Sequence, residues 1–185
     1  MRESINDPDQ RSRKFIFVPF CLLCQAFQAR GLVRLGFTSI ITPILNELLK
    51  HDVNLIQLPC PESKLGGYRE GLKRKPKGIS QYDTPEFRRL CENEAREVAE
   101  MAEGIISNGY EVVGILGVEY SPSCATEFQY GSGFSTIRRK GLFIEALQCT
   151  LKEKNITIPF IGVNRRSTDS AVKKIRGLFE KSIFD

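Results

Sequence analysis

Four short apolar runs alternate with stretches of helical character along the chain. The runs are rich in the branched and aromatic residues typical of buried β-strands, and they lie at 15–18, 53–58, 112–118 and 158–163. The stretches predicted to be helices lie at 39–49, 84–108, 139–154 and 171–183. Strands that alternate with helices predict a parallel sheet joined by right-handed crossovers. The predicted fold class is therefore α/β, a three-layer Rossmann-like sandwich with a four-stranded parallel sheet.

The strand order decides where a site can form in such a sheet. We expect the first strand to lie inside the sheet, with the second on one side and the third and then the fourth on the other. This order places the topological switch point beside the first strand, where open α/β sheets bind their ligands. The stretches 21–36, 59–82 and 125–138 show no regular period and are predicted to be loops. The longest helix is expected to begin at Thr84, its N-cap, with Pro85 in its first turn.

Three of the six cysteines follow the first three predicted strands, namely Cys21, Cys60 and Cys124. Because parallel strands end at the same edge of a sheet, we expect the three thiols to converge there. Three soft thiolates with no fourth protein ligand suit an iron-sulfur cluster or a zinc ion that keeps one open position. Cys91 and Cys149 fall within predicted helices and are interpreted as structural thiols.

Other polar residues near these cysteines leave several interpretations open. Cys24 forms a C-x-x-C pair with Cys21, a pattern that a thiol redox enzyme would also use. Glu62 follows Cys60 closely and is either a solvated acid or, beside a metal, a general acid or base. Ser121 either caps local backbone groups or donates a hydrogen bond to a substrate. His51, the only histidine, follows a predicted helix and is not expected to complete a zinc site.

Composition limits the class of protein. With 185 residues, 41% hydrophobic and 26% charged, the chain is typical of a soluble globular protein. We predict a flexible polar arm at 1–13 and a single domain at 14–185. The sequence shows no signal peptide and no apolar run long enough to span a bilayer, which predicts a cytoplasmic protein with reduced thiols.

The chain is mildly basic, with a formal net charge of +5, and its densest basic cluster lies in the long predicted loop. The cluster consists of Lys73, Arg74, Lys75 and Lys77. It lacks the interleaved aromatic residues of a base-stacking surface, so we expect a solvated loop. The alternative is a contact with a substrate or with nucleic acid.

The ordered motifs resemble those of the 2-thiouracil desulfurases and related desulfidases. The resemblance covers about residues 15–125 and is carried by three short motifs, each at the end of a predicted strand. The motifs are Cys21-Leu22-Leu23, Cys60-Pro61-Glu62 with Leu65-Gly66-Gly67, and Ser121-Pro122-Ser123-Cys124. This chain departs from the family at Cys24 and Ala125, where those proteins usually carry glycine, and these departures point to a subgroup with a remodelled pocket.

The resemblance implies a 4Fe-4S cluster held by Cys21, Cys60 and Cys124, with one iron left open. It also implies a non-redox desulfidase that removes sulfur from a small thiolated compound, such as a thionucleobase, as hydrogen sulfide. Glu62 and Ser121 would then be the candidates for proton transfer and for positioning water or substrate. The alternative is a noncatalytic zinc-binding or nucleic-acid-binding module that uses the same cysteines.

Overall fold

The computed structural model of the protein describes residues 10–131 and 135–180. The strands are β1 (Lys14–Pro19), β2 (Asn54–Leu58), β3 (Glu111–Val118), β4 (Phe128–Tyr130), β5 (Thr136–Arg138) and β6 (Phe160–Val163). The helices are α1 (Phe20–Leu23), α2 (Thr42–Leu48), α3 (Pro61–Lys64), α4 (Gly67–Gly71), α5 (Ile79–Tyr82), α6 (Pro85–Ser107), α7 (Leu142–Glu153) and α8 (Asp169–Glu180). Most of the predicted arm, at 1–9, and the end of the last predicted helix, at 181–183, lie outside the described residues.

Four strands form a parallel sheet in the order β2-β1-β3-β6. Every neighbouring pair in this sheet is parallel, and the register between β1 and β3 shifts once, between Phe15 and Ile16. The predicted α/β class and the predicted strand order are therefore confirmed. Because β1 lies beside both β2 and β3, the chain reverses its direction of travel across the sheet at β1, which puts the switch point there.

Helices cover both faces of the sheet. Contacts pair α2 with α8 and α6 with α7, so that each pair forms one outer layer, as right-handed crossovers require. The sheet is buried between them, and Ile16, Phe17 and Val18 of β1 are fully buried. Helix α6 begins as predicted, because the Thr84 hydroxyl accepts a hydrogen bond from the Phe87 N–H at 3.2 Å. Among the described residues, none of the helices has the length and apolar character needed to cross a membrane.

The three stretches predicted to be loops contain more regular structure than expected. The stretch 21–36 includes most of α1 and a short 3-10 helix, and the stretch 59–82 contains α3, α4 and α5. The stretch 125–138 folds into the antiparallel hairpin of β4 and β5. These predictions were wrong because elements of three to five residues are too short to show a helical or alternating period in the sequence.

A buried carboxylate joins the α2 and α8 layer. Glu47 is 3% exposed and accepts two hydrogen bonds from Arg176, from Nε at 2.9 Å and from Nη2 at 3.1 Å. Lys50 Nζ donates to the same carboxylate at 3.1 Å, and His51 Nε2 lies 3.2 Å from it. The His51 ring also stacks on Phe179 with a centroid separation of 4.1 Å. His51 therefore contributes to helix packing.

Glu47→Gln is expected to lower the free energy of unfolding at neutral pH by about 2 kcal/mol, the usual size of a lost charge-assisted hydrogen bond. The hydrogen bonds from Arg176, aided by Lys50, lower the pKa of Glu47 from 4.5 to about 2. The stabilisation is thus complete above pH 4.5 and is lost as the pH falls toward 2. Denaturant unfolding of both proteins at several pH values would measure this.

The matched control is Glu103→Gln, which removes a carboxylate that is 50% exposed and bonded to Lys154 on the surface. We expect it to change the free energy of unfolding by less than about 1 kcal/mol. A difference between wild type and Glu47→Gln that stays constant from pH 7 to pH 3 would contradict the predicted role of the Glu47 carboxylate.

Candidate functional site

The three cysteines predicted to converge lie at the carboxyl ends of three neighbouring strands. Cys21 sits in α1 directly after β1, Cys60 precedes α3 after β2, and Cys124 follows β3. All three are free, Cys60 and Cys124 are buried at 7% and 5% exposure, and Cys21 is partly buried. Since β1 lies between β2 and β3, the sheet brings the three segments to one edge.

The thiols are close enough to act on one another electrostatically. Burial, with a smaller contribution from the neighbouring Cys60, raises the pKa of Cys21 to about 12. Burial raises the pKa of Cys124 well above its usual value, with added contributions from Cys60 and Cys21. Burial and Glu62 also raise the pKa of Cys60. The three thiols are therefore protonated at neutral pH in the metal-free protein, and a bound metal would have to displace their protons.

A carboxylate and two hydroxyls connect the loop of Cys60 with the loop of Cys124. Glu62 Oε1 accepts hydrogen bonds from Ser121 Oγ at 3.0 Å and from Ser123 Oγ at 2.7 Å. The Ser121 oxygen accepts in turn from the backbone N–H of Cys124 at 3.1 Å, which holds the hydroxyl beside the cysteine. Ser123 Oγ also lies 3.4 Å from the Cys124 sulfur. Glu62 and Ser121 thus meet beside the cysteines.

Arg74 is a site residue that the sequence interpretation missed. Its side chain is only 11% exposed, and its Nε lies 3.6 Å from Glu62 Oε2. Its Nη1 donates to Ser63 Oγ at 2.8 Å, and Ser63 Oγ donates to the Cys60 sulfur at 3.2 Å. Its Nη2 donates to the Phe27 carbonyl. The expectation of a solvated basic loop is therefore wrong for Arg74, while its three lysine neighbours are exposed.

One sequence signal could have identified Arg74. The glycines and prolines of the stretch 59–82 allow the chain to turn back toward Glu62. Gly71 illustrates this return, since a Cβ at that position would meet the Ser63 carbonyl oxygen at 2.7 Å. The close approach of these two segments places the Arg74 guanidinium beside Ser63. Charge alone could not distinguish Arg74 from the exposed lysines, because burial depends on how the loop folds.

The loop that carries Cys124 is held by partly buried polar contacts at its two ends. Before it, Tyr120 adopts a left-handed conformation with φ +65°, and the Glu119 carboxylate accepts a hydrogen bond from Phe128 N at 2.7 Å. The same carboxylate accepts from the Thr126 hydroxyl. A Cβ at Gly162 of β6 would lie 1.6 Å from Glu119 Oε1, so glycine is required for this carboxylate to cross the strand.

Gly141→Ala is expected to lower the free energy of unfolding by about 1–3 kcal/mol, the usual cost of overpacking a fitted interior. The added Cβ would lie 2.4 Å from the Ser123 carbonyl carbon and oxygen and 2.7 Å from the Cys124 nitrogen. Since these are backbone atoms, the loop has to move. Denaturant unfolding midpoints would measure the change.

The control is Gly104→Ala within α6, where a Cβ meets no atom within 4 Å. We expect it to stabilise the protein by about 0.5–1 kcal/mol, because alanine favours a helix more than glycine does. Equal effects of the two substitutions would contradict the predicted contact between Gly141 and the cysteine loop.

In the described part of the chain, the other three cysteines make no side-chain hydrogen bond to these site residues, although the Glu62 charge contributes to the raised pKa of Cys91. Cys91 is 1% exposed within α6, where burial raises its pKa to about 12, and Cys149 is exposed on α7. Cys24 is free and partly buried at the end of α1. Two surface cavities, of about 360 and 420 Å³, are lined by none of the candidate site residues.

The donor set at this edge is three free thiols, which is the ligand chemistry of iron-sulfur clusters and of zinc. Across 10–131 and 135–180, no group of three or more His, Cys, Asp or Glu side chains is arranged to hold a metal ion. A 4Fe-4S cluster binds each cysteine through a different iron, so its thiolates lie farther apart than the ligands of one ion. Three thiols from separate strand ends are the type of donor that such a cluster uses.

Fold and site together define an α/β protein with three thiols at the carboxyl edge of a parallel sheet. No family model matches the sequence. The chain is similar to the uncharacterized protein MJ0003 of Methanocaldococcus jannaschii, with 25% identity over 149 residues that cover 78% of this chain and 91% of that protein. It is also similar to the solved structure of the 4Fe-4S-dependent thiouracil desulfidase TudS, with TM-score 0.44, 17% identity and coverage of 90% and 97% of the two chains. Neither similarity assigns an activity to this chain.

Proposed function

We propose that the protein is a cluster-dependent desulfidase that removes sulfur from a small thiolated compound. The observation that carries the proposal is that the neighbouring strands β1, β2 and β3 each lead to a cysteine at one sheet edge, where Ser121 donates a hydrogen bond to Glu62. The three cysteines would hold a 4Fe-4S cluster. The motif resemblance described above supports the same assignment, because it rests on these same residues.

The proposed reaction is a hydrolysis without net redox change. The oxygen of water replaces sulfur at the thiocarbonyl carbon, both protons of the water leave with the sulfur as hydrogen sulfide, and no electrons are transferred. When bound, the cluster would supply a Lewis-acidic iron with an open coordination position. The residues of the chain would bind the substrate, orient the water and move its protons.

Glu62 is suited to act as the general base. Its Oε1 accepts from both serine hydroxyls, at 3.0 Å from Ser121 and 2.7 Å from Ser123, so the carboxylate has a fixed orientation. A base must lie within hydrogen-bond reach of the proton that it removes. A water that donates to Glu62 in place of one of the serine hydroxyls would meet this condition. Ser121, which is held by the Cys124 N–H, would position that water.

Arg74 would act as a positioning residue for this base. It makes an ionic contact with Glu62 at 3.6 Å and a hydrogen bond to Ser63, which donates to Cys60. One guanidinium therefore links the carboxylate to a proposed cluster ligand. A planar guanidinium suits this role because its N–H groups point in fixed directions.

The test is the content of iron, zinc and acid-labile sulfide, together with a visible absorption spectrum, in protein purified without oxygen. We expect iron and sulfide in near-equal amounts, close to four of each per chain, with a broad brown absorption. Release of hydrogen sulfide from thiolated compounds would then be measured. Colourless protein that also fails anaerobic reconstitution would contradict the proposed function, and zinc at one per chain without sulfide would indicate a zinc module.

A further inference from the structure

The fourth strand of the parallel sheet is followed by an arginine, whereas each of the other three strands is followed by a cysteine. Strand β6 runs parallel to β3 and ends at Val163, and Arg165 follows it at the same edge of the sheet. Because parallel strands deliver their following residues to one crevice, Arg165 belongs to the same edge as the three cysteines. The sequence interpretation did not include it.

Arg165 lies among the site residues. It is partly buried, and its interacting neighbours include Cys21, Glu62 and Tyr130. Burial lowers the pKa of Arg165, whereas Cys21 and Glu62 act in the opposite direction. Arg165 is thus a cation at the carboxyl edge of the sheet whose charge acts on the thiol of the first strand and on the carboxylate proposed as the base.

The guanidinium of Arg165 retains donor capacity. Among the described residues it makes one hydrogen bond, from Nη1 to the Leu32 carbonyl at 2.8 Å, although a guanidinium carries five N–H groups. This bond anchors the side chain to the segment that begins at Arg30, whose N–H donates to the Arg74 carbonyl at 3.0 Å. A partly buried cation with free donors is stabilised when an acceptor reaches it.

We propose that Arg165 is a substrate-recognition residue that donates a charge-assisted hydrogen bond to an acceptor on the thiolated compound. The inference rests on the desulfidase function proposed above and adds to it a residue that determines specificity. The acceptor that Arg165 would bind is a second carbonyl oxygen or an anionic atom on the ring that carries the thiocarbonyl group. A guanidinium discriminates in this way because it presents donors and no acceptor.

Glu62 and Arg165 then have different roles, because Glu62 accepts protons and Arg165 donates a hydrogen bond to the substrate. Glu62 accepts protons and is held by Ser121, Ser123 and Arg74, so it offers no donor to a ring carbonyl. In the described part of the chain no hydrogen bond or ion pair joins Arg165 to Glu62, so the remaining donors of Arg165 are available to the substrate. A substrate without a second acceptor would leave the guanidinium donors unpaired and would bind more weakly.

The test compares the binding of two stable ring compounds to the cluster-containing protein by equilibrium dialysis. Uracil has two ring carbonyls and 2-pyridone has one, and neither carries sulfur that could be removed. We expect wild type to bind uracil at least about tenfold more tightly than 2-pyridone, the usual effect of one charge-assisted hydrogen bond. Arg165→Gln should weaken uracil binding by about ten- to hundredfold and leave 2-pyridone binding unchanged. Arg165→Lys should show an intermediate loss for uracil.

The matched control is Arg166→Gln, which removes the adjacent exposed charge and should leave both dissociation constants unchanged. Equal binding of the two rings by wild type, or an unchanged preference in Arg165→Gln, would overturn the proposal. A loss of iron and sulfide in Arg165→Gln with an unchanged preference would also overturn it, because Arg165 would then support the cluster. Failure of wild type to desulfurise 2-thiouracil or pyridine-2-thione would instead count against the desulfidase function, and the binding preference would still test Arg165.

Discussion

Replacing any one of Cys21, Cys60 or Cys124 with alanine is expected to abolish cluster binding. Each thiol comes from a different strand end, so the loss of one leaves only two of the three proposed ligands. Folding should survive, because removing a buried sulfur costs only about 1 kcal/mol. Iron and sulfide content, visible absorption and far-ultraviolet circular dichroism of anaerobically purified variants would separate loss of the cluster from loss of the fold.

The remaining cysteines provide matched controls for this experiment. Cys149 is exposed on α7 and Cys91 is buried in α6, so Cys149→Ala and Cys91→Ala test a surface thiol and a core thiol. Both variants are expected to keep full iron and sulfide content. Full occupancy in a variant of Cys21, Cys60 or Cys124 would contradict the assignment of the ligands. Loss of activity in Cys24→Ala with no metal in wild type would favour a thiol redox enzyme.

Glu62→Gln is expected to lower turnover by about 10²- to 10⁴-fold while the cluster content stays unchanged, which is the usual contribution of a general base. The amide keeps the shape of the side chain and can still accept from Ser121 and Ser123, but it cannot take up a proton. Initial rates of hydrogen sulfide release at saturating substrate, normalised to iron content, would measure the effect. Ser121→Ala should also lower turnover, because it removes the hydroxyl that orients the base.

The control is Glu70→Gln in α4, eight positions along the chain from Glu62. The Glu70 carboxylate is 62% exposed and pairs with Lys73 at the surface. Its turnover is expected to match wild type. Unchanged turnover in Glu62→Gln would remove Glu62 from the mechanism. A parallel loss of iron and sulfide would instead assign Glu62 to holding the cysteine loops together.

The sheet and its strand order were predictable from sequence because their signals are long. Apolar runs such as 112–118 bury both faces of a parallel strand, and the intervening helices show clear caps, as at Thr84. The convergence of the cysteine-bearing segments was predictable from the common direction of the strands, since all strands of a parallel sheet end at one edge. The short helices and the hairpin of β4 and β5 were missed because no period develops over so few residues.

The sequence by itself determined the α/β class, the order of the main sheet and the presence of three strand-end thiols beside Glu62. Only the tertiary structure decided that Arg74 is buried against Glu62 and that Arg165 is partly buried near the charge of Cys21, whereas Lys73, Lys75 and Lys77 are exposed. The physical reason is that periodicity reports which face of an element is buried, and a loop has no such face. The environment of a loop side chain depends on distant segments, such as Ser63 for Arg74 and Leu32 for Arg165, that meet only when the chain has folded.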